Sequence, residues 1–169
     1  IMGNHVHEIV SVGDEISPLS EWMRQAHGTF GLDYNRRHDR FGKVSCERPK
    51  TIPIEGDHAV LSVMFYADAN PLRAGLVDSA GEWGFGSYRY YAFGEENEWT
   101  RLLDPPQAYV ELGDTPEERQ ANYREGYAEY AARSGLVDLG EPENATEASA
   151  FGRSGAGPDE GHEGIDADR

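Results

Sequence analysis

The chain has 169 residues, of which 38% are apolar and 11% aromatic, and its mean hydropathy is −0.68. This is enough for one domain with a modest core, and no stretch approaches the roughly 20 uninterrupted apolar residues of a membrane span. The 15 Lys and Arg residues face 31 Asp and Glu residues, which gives a net charge of −16. A charge of this sign argues, at face value, against a partner made of phosphates.

The composition also bears on where the protein works. Lys43 and Lys50 are its only lysines. Many acidic residues with almost no lysine are typical either of a protein kept hydrated in concentrated salt or of a GC-rich genome. Cys46 is the single cysteine, so no internal disulfide can form. The first residues do not resemble a signal peptide, and we expect an intracellular, cytoplasmic protein without a membrane partner.

The first predicted elements are a strand and a helix. Residues 5–12 alternate with period two, which places the imidazole rings of His5 and His7 on one face of a strand. A serine followed by proline, beginning at Ser17, is typical of a helix start, and a helical pattern runs from there to Tyr34.

A second helix is predicted to open near Asp57. We expect it to end around Ala69 or Asn70, because proline at position 71 disfavours a helical conformation for the residue before it. Residues 72–93 are rich in Gly, Trp and Tyr and are interpreted as packing loops or short turns. The residues of this second helix that are predicted to face inward are Val60, Val63, Met64 and Ala67.

The last predicted helix is followed by a tail. Thr115, followed by proline and two glutamates, is a good cap for a helix that runs to about Arg133, with tyrosines 123, 127 and 130 on one stripe. Residues 140–169 lack hydrophobic periodicity and hold eight acidic and two basic residues, a local charge of −6. We expect this acidic tail to be disordered.

One segment of the chain is clearly positive. Residues 36–50 hold six basic and two acidic residues, which leaves a local charge of +4. Such a segment either contacts a nucleic-acid backbone or is an ordinary solvated face. Its basic residues are Arg36, Arg37, Arg40, Lys43, Arg48 and Lys50.

Two short motifs could carry chemistry. His5 and His7, on one face of a strand, form a natural pair of metal ligands, although two exposed imidazoles on a surface strand explain the pattern equally. Tyr66 and Asn70 lie four residues apart, so a helix would place a phenol nucleophile beside a third ligand. The alternative is that Tyr66 is a half-buried core aromatic and that Asn70 only ends the helix.

Taken in order, these motifs resemble the single-tyrosine HUH transposases of the insertion-sequence-200-like type, in particular the REP-associated tyrosine transposases. The family's Met-Pro-Asn-His-x-His strand is matched by Met-Gly-Asn-His-Val-His at residues 2–7. A basic stretch matches residues 34–38, and the family's Asn-Pro-x-x-Ala-Gly-Leu-Val block matches residues 70–77. Trp83 and the Ser-Tyr-Arg of residues 87–89 follow. The resemblance covers residues 2–93 well and residues 94–133 loosely.

The resemblance implies a DNA transposase that cleaves single-stranded DNA at hairpin ends of a mobile or repeated element and transfers the strand. His5 and His7, with Asn70 as third ligand, would hold Mg²⁺ or Mn²⁺, which polarises the scissile phosphate. Tyr66 would be the catalytic nucleophile and would leave a 5′-phosphotyrosine link. No small-molecule cofactor is implied, and a homodimer is a candidate assembly. Candidate contacts to the DNA backbone are Arg36, Arg37, Arg40, Lys43, Arg48, Lys50 and Arg73, and Phe41 is a candidate for stacking on an unpaired base.

The resemblance also implies an α+β fold. We expect a ferredoxin-like HUH-type domain with an antiparallel sheet at residues 1–93, a helical extension at 94–139 and the tail at 140–169. Members of the family carry a strand, a helix and a second strand before the metal-binding strand, and almost nothing precedes His5 here. The domain would therefore lack its first strand-helix-strand, as a fragment, as a decayed gene copy or as a chain whose partner supplies these strands.

Two other functions stay open from the sequence. An inactive truncated remnant would retain at most the binding of DNA hairpins. A small metal-dependent hydrolase would use the His pair alone and would not need Tyr66. The net charge of the chain does not exclude DNA as a partner. The Debye length is about 3 Å in molar salt, so distant carboxylates then hardly repel a phosphate.

Overall fold

The computed structural model of the chain describes residues 2, 5–12, 17–44 and 49–138. The predicted acidic tail at 140–169 and the candidate DNA contact Arg48 lie outside the described residues. The described part contains five α-helices and two short 3₁₀ turns. The helices are α1 (Ser17–Arg37), α2 (Asp57–Arg73), α3 (Tyr88–Phe93), α4 (Gln107–Val110) and α5 (Pro116–Arg133), and the 3₁₀ turns are Ala80–Glu82 and Thr100–Leu102.

The prediction of an α+β, ferredoxin-like domain with an antiparallel sheet is wrong, because the described residues contain helices and no strand. Residues 5–12, which alternate like a strand, are exposed and form no regular element. An isolated extended segment is not a stable strand, since its backbone groups need a neighbouring strand for their hydrogen bonds. The alternation in residues 5–12 therefore reflects a local preference for an extended backbone, and no neighbouring strand in the described residues pairs with it.

The predicted helix starts agree better with the structure than the predicted ends. Helix α1 begins at Ser17, and Thr115 caps α5 through a complete capping box with Glu118, as its sequence predicts. Helix α2, however, continues past Pro71 to Arg73, so the prediction that it ends near Asn70 is wrong. Pro71 is buried, and the amide of Ala74 bonds to the carbonyl oxygen of Asn70 at 2.9 Å, so the chain closes its last turn around the proline. The predicted loops at 72–93 are also partly helical, since they contain α3.

The core lies where α2, α3, α4 and α5 pack together, and it is built from aromatic rings and alanines. Tyr123 and Tyr127 of α5 are fully or almost fully buried, as the predicted stripe requires, while Tyr130 is partly buried. Small residues let the helices approach one another, and Ala69 and Ala92 have no exposed surface. The buried aromatic residues are Phe65, Tyr88, Tyr91, Tyr109, Tyr123 and Tyr127.

Helix α1 contributes nothing to this core. None of the side chains described at 18–37 is buried, and the large residues Trp22, Phe30 and Leu32 are exposed. In the described part of the chain, no helix has both the length and the apolar composition that crossing a membrane requires.

Candidate functional site

Helix α2 has one side packed in the core and one side exposed to solvent, and the candidate site residues lie on both. Met64, Phe65, Asp68 and Ala69 face inward, and Tyr66 stands on the outer side with 37% of its surface exposed. Asn70 follows Tyr66 by one turn and is 9% exposed. The helix therefore presents a phenol to solvent and places a carboxamide at the edge of the core.

The two histidines lie beside this phenol although they come from a distant part of the sequence. The ring centres of His5 and His7 are 5.0 Å apart and their planes meet at 87°. The rings of His7 and Tyr66 have the same edge-to-face arrangement, with centres 5.4 Å apart. His5, His7 and Tyr66 thus form a continuous row of three rings, which we call the His–Tyr row.

Arg73 completes one side of the His–Tyr row. Its guanidinium carbon Cζ lies 5.2 Å from the centre of the Tyr66 ring, within cation–π distance. The Nη2 group of Arg73 also donates a hydrogen bond of 3.3 Å to the hydroxyl oxygen of Tyr130 on α5. A positive group is therefore fixed next to the candidate nucleophile.

The surroundings of His7 favour its uncharged form. Partial burial lowers the pKa of His7 below its usual value near 6.5, and the neighbouring His5 lowers it further. The neutral imidazole is the form that binds metal ions. The lowered pKa therefore favours the neutral form of His7 at neutral pH.

The residues present can be compared with the metal that the resemblance implies. Two imidazoles whose ring centres lie 5.0 Å apart can share one ion. Imidazole nitrogen suits Zn, Cu, Fe and Ni, whereas an amide oxygen suits Mg²⁺ and Mn²⁺. Among the described residues, the side-chain nitrogen of Asn70 has no hydrogen-bond partner, but an amide nitrogen is a donor, so only the side-chain oxygen of Asn70 can act as a metal ligand. The described part holds no group of three His, Cys, Asp or Glu residues, so a metal site here depends on Asn70 as third ligand. A divalent ion held here would take two imidazole nitrogens and the side-chain oxygen of Asn70.

Behind the His–Tyr row, a buried carboxyl group joins α2 to α5 and to the residue that precedes α3. Asp68 is 5% exposed and accepts hydrogen bonds from the hydroxyl groups of Ser87, at 2.8 Å, and Tyr123, at 2.7 Å. Burial raises the pKa of Asp68 to about 6, although both hydroxyl donors act in the opposite direction. These hydrogen bonds hold the inner side of α2 against the core, and Tyr66 lies on the opposite side of the helix.

The predicted DNA-binding residues are divided among several places. Arg73 lies at the His–Tyr row, whereas Arg36 and Arg37 sit at the carboxyl end of α1, where each forms a 2.6 Å ion pair with Asp33. Arg40 follows and lies 5.7 Å from the centre of the Tyr34 ring. Lys43 and Lys50 are exposed.

The same end of α1 carries a ladder of aromatic rings. The rings of Phe30 and Tyr34 have centres 5.8 Å apart, and those of Tyr34 and His38 are 4.3 Å apart. Phe41, the candidate for base stacking, is 94% exposed. Cations and stackable rings therefore occur together in residues 30–43, in the last turns of α1 and just after it. We call this segment the α1 end.

Two residues of this site were not singled out from the sequence. The sequence placed Tyr130 on the tyrosine stripe of α5, but nothing in it linked the hydroxyl group of Tyr130 to Arg73. The sequence indicates the burial of Asp68 only weakly, through its position on the same side of α2 as Met64 and Phe65. Its partners lie in segments far along the chain, so the spacing of residues in α2 could not reveal them.

Comparison with known proteins identifies no relative of the chain. No family model matches the chain, and neither any curated protein nor any solved structure matches it.

Proposed function

We propose that the protein is a metal-dependent single-tyrosine transposase that cleaves single-stranded DNA at hairpin ends and transfers the strand. The observation that carries this proposal is the His–Tyr row. The chain brings two imidazoles from residues 5–12 against a solvent-exposed phenol of α2, with ring centres 5.0 and 5.4 Å apart. Attack on a DNA phosphate requires an accessible phenol, and 37% of the surface of Tyr66 is exposed.

The chemistry follows from the residue types. The oxygen of Tyr66 forms a bond to phosphorus, the bond from phosphorus to the 3′ oxygen breaks, and a 5′-phosphotyrosine and a 3′-hydroxyl result. The phenol loses its proton and the departing oxygen gains one. One phosphodiester replaces another, so the covalent link conserves the energy of the phosphodiester bond. Mg²⁺ or Mn²⁺ held by His5, His7 and Asn70 would supply the Lewis acid that polarises the phosphate. Arg73 meets the negative phosphate oxygens.

The DNA strand is proposed to follow the α1 end as well as Arg73. The ion pairs of Arg36 and Arg37 with Asp33 are exposed, and exposed pairs contribute only about 0.2–1 kcal/mol, so DNA phosphates can replace Asp33. The rings of Phe30, Tyr34 and Phe41 offer faces for unpaired bases. The proposal places the protein in the cytoplasm, with DNA as its partner and a homodimer as a candidate assembly.

A second candidate is an inactive remnant that binds DNA hairpins and does not cut them. One observation favours it: the described residues contain no β-sheet, which the resembling family uses to carry its metal ligands. In this case the α1 end would still bind DNA, but the His–Tyr row would form no covalent link.

A labelled DNA hairpin with single-stranded flanks separates the candidates. We expect the chain to form a denaturant-resistant protein–DNA adduct with Mn²⁺ or Mg²⁺, and to lose it in the Tyr66→Phe variant and on chelation of the metal. Tyr90→Phe is the matched control, because it removes the same atom from a partly buried tyrosine of α3. DNA binding without adduct supports the remnant. Cleavage that survives Tyr66→Phe but not His7→Ala supports a hydrolase that uses the histidines alone.

A further inference from the structure

Tyr130 is linked to the His–Tyr row through Arg73. Its ring is partly buried on α5, with its centre 6.1 Å from that of Phe65 on α2. Its hydroxyl oxygen accepts the hydrogen bond from Nη2 of Arg73 at 3.3 Å. The aromatic body of Tyr130 is thus held by the core, and its polar end reaches the surface beside the candidate nucleophile.

Arg73 is held at two points. It is the last residue of α2 and is exposed, a setting in which an arginine side chain usually samples many rotamers. Here the hydroxyl oxygen of Tyr130 holds one nitrogen, and the face of the Tyr66 ring lies 5.2 Å from the guanidinium carbon. The two contacts come from different helices, so they select one direction for the side chain.

We propose that Tyr130 is a positioning residue for the reaction of Tyr66: it holds the guanidinium group of Arg73 where the attacked phosphate must lie. This inference rests on the proposed function. A planar guanidinium group binds two phosphate oxygens at once when it is correctly oriented. Charge that moves onto the phosphate oxygens and the departing oxygen is best stabilised by donors that are already in place. Tyr130 does not touch the DNA and acts only through Arg73.

The test is a double-mutant cycle on the rate of adduct formation at saturating hairpin DNA. We expect Tyr130→Phe, which keeps the ring on Phe65, to slow this rate about fivefold, the effect of one hydrogen bond. DNA affinity should change less, because Arg73 keeps its charge. In an Arg73→Gln background, which is itself slow, Tyr130→Phe should change nothing further.

A second readout follows Arg73 directly. The Nε–H nuclear magnetic resonance signal of Arg73, assigned by its loss in Arg73→Gln, should carry a ring-current shift from Tyr66 that Tyr130→Phe abolishes and Tyr90→Phe leaves in place. An equal slowing by Tyr130→Phe in both backgrounds, or a shift that survives it, overturns the inference while the proposed function stands. If the parent forms no adduct, the proposed function fails and the inference falls with it.

Discussion

The hydroxyl group of Tyr123 donates a hydrogen bond of 2.7 Å to the carboxyl group of Asp68, in a core where neither residue meets solvent appreciably. Ser87 donates a second bond to the same carboxyl group. Burial disfavours the charged carboxylate, and the two hydroxyl donors compensate only in part. The position of α2, and with it that of Tyr66, therefore depends on a group whose charge changes near neutral pH.

We expect the stability of the chain to fall as the pH rises through this range. The pKa of Asp68 is about 6 in the folded chain and near 3.8 ordinarily, so the folded state binds the proton more tightly. The stabilisation is fully present below about pH 4, decreases between about pH 4 and pH 6, and is lost above that range. The difference is on the order of 3 kcal/mol. Urea unfolding at a series of pH values measures it.

Asp68→Asn is the comparison for this measurement. Its side chain cannot ionise, so its free energy of unfolding should change less with pH than that of the parent. Repulsion among the other acidic residues also weakens on acidification, but it is common to both chains and cancels in the difference. Parallel pH profiles for the two chains would show that Asp68 does not titrate in this range.

Removal of the Tyr123 hydroxyl group should cost more at high pH than at low pH. Tyr123→Phe leaves the ring in the core but takes one donor from a charged carboxylate, which we expect to destabilise the fold by about 2 kcal/mol near pH 8. The cost should be smaller near pH 4.5, where Asp68 is protonated. Thermal or urea unfolding at the two pH values tests this.

Tyr109→Phe provides a matched control. The hydroxyl group of Tyr109 donates a 3.0 Å bond to the main-chain oxygen of Tyr91, which is uncharged at any pH. Its loss should cost about 1 kcal/mol at both pH values. If both variants show the same dependence on pH, the carboxylate is not the reason for the cost at Tyr123.

The sequence allowed α1, α2 and α5 to be predicted because their signals are local, whereas α3 and α4 were not predicted. Thr115 and Glu118 lie three residues apart and form the capping box by themselves. The sheet was predicted wrongly because a strand depends on a partner, and the alternation in residues 5–12 says nothing of one. The helical end at Asn70 was also wrong, since burial of Pro71 outweighs the local effect of a proline.

In the candidate site, too, the residues with a local signal could be predicted and the contacts between distant residues could not. His5, His7, Tyr66 and Asn70 were selected from short spacings and a resemblance, and the structure then places the first three in one row. The contact between Arg73 and Tyr130 depends on how α5 packs against α2, and that packing also depends on Gly126 and Phe65. Such contacts join residues far apart in the chain, so no local pattern reveals them.

Gly126 allows the close approach of α5 to α2. A Cβ atom added at this position would lie 2.8 Å from Cζ of Phe65, a ring that is buried among the tyrosines of α5 and has little room to move. Gly126→Ala should destabilise the fold by about 1–3 kcal/mol through overpacking, although alanine is the better helix former. Urea unfolding measures the change.

Gly28→Ala in α1 is the control for the helix preference. Apart from the neighbouring residues and the backbone of α1 itself, no atom lies within 4 Å of the Cβ that this change would add. The propensity gain of about 1 kcal/mol should therefore appear as equal or greater helix content by circular dichroism. If Gly126→Ala also proves neutral or stabilising, the approach of α5 to Phe65 is looser than the structure describes.

The last prediction concerns the α1 end. If Arg40 and Lys43 contact the backbone of single-stranded DNA, the logarithm of the binding constant should fall with the logarithm of salt concentration by about 0.7 per neutralised phosphate. An Arg40→Gln, Lys43→Gln double variant should therefore bind more weakly in dilute salt, and its slope should be shallower by about 1.4. Arg101→Gln with Arg133→Gln removes the same charge from exposed positions elsewhere in the chain and should keep the parent slope. Fluorescence anisotropy with a labelled oligonucleotide measures both slopes. Equal slopes for the two double variants would mean that only net charge governs binding, and that the α1 end has no specific role in holding DNA.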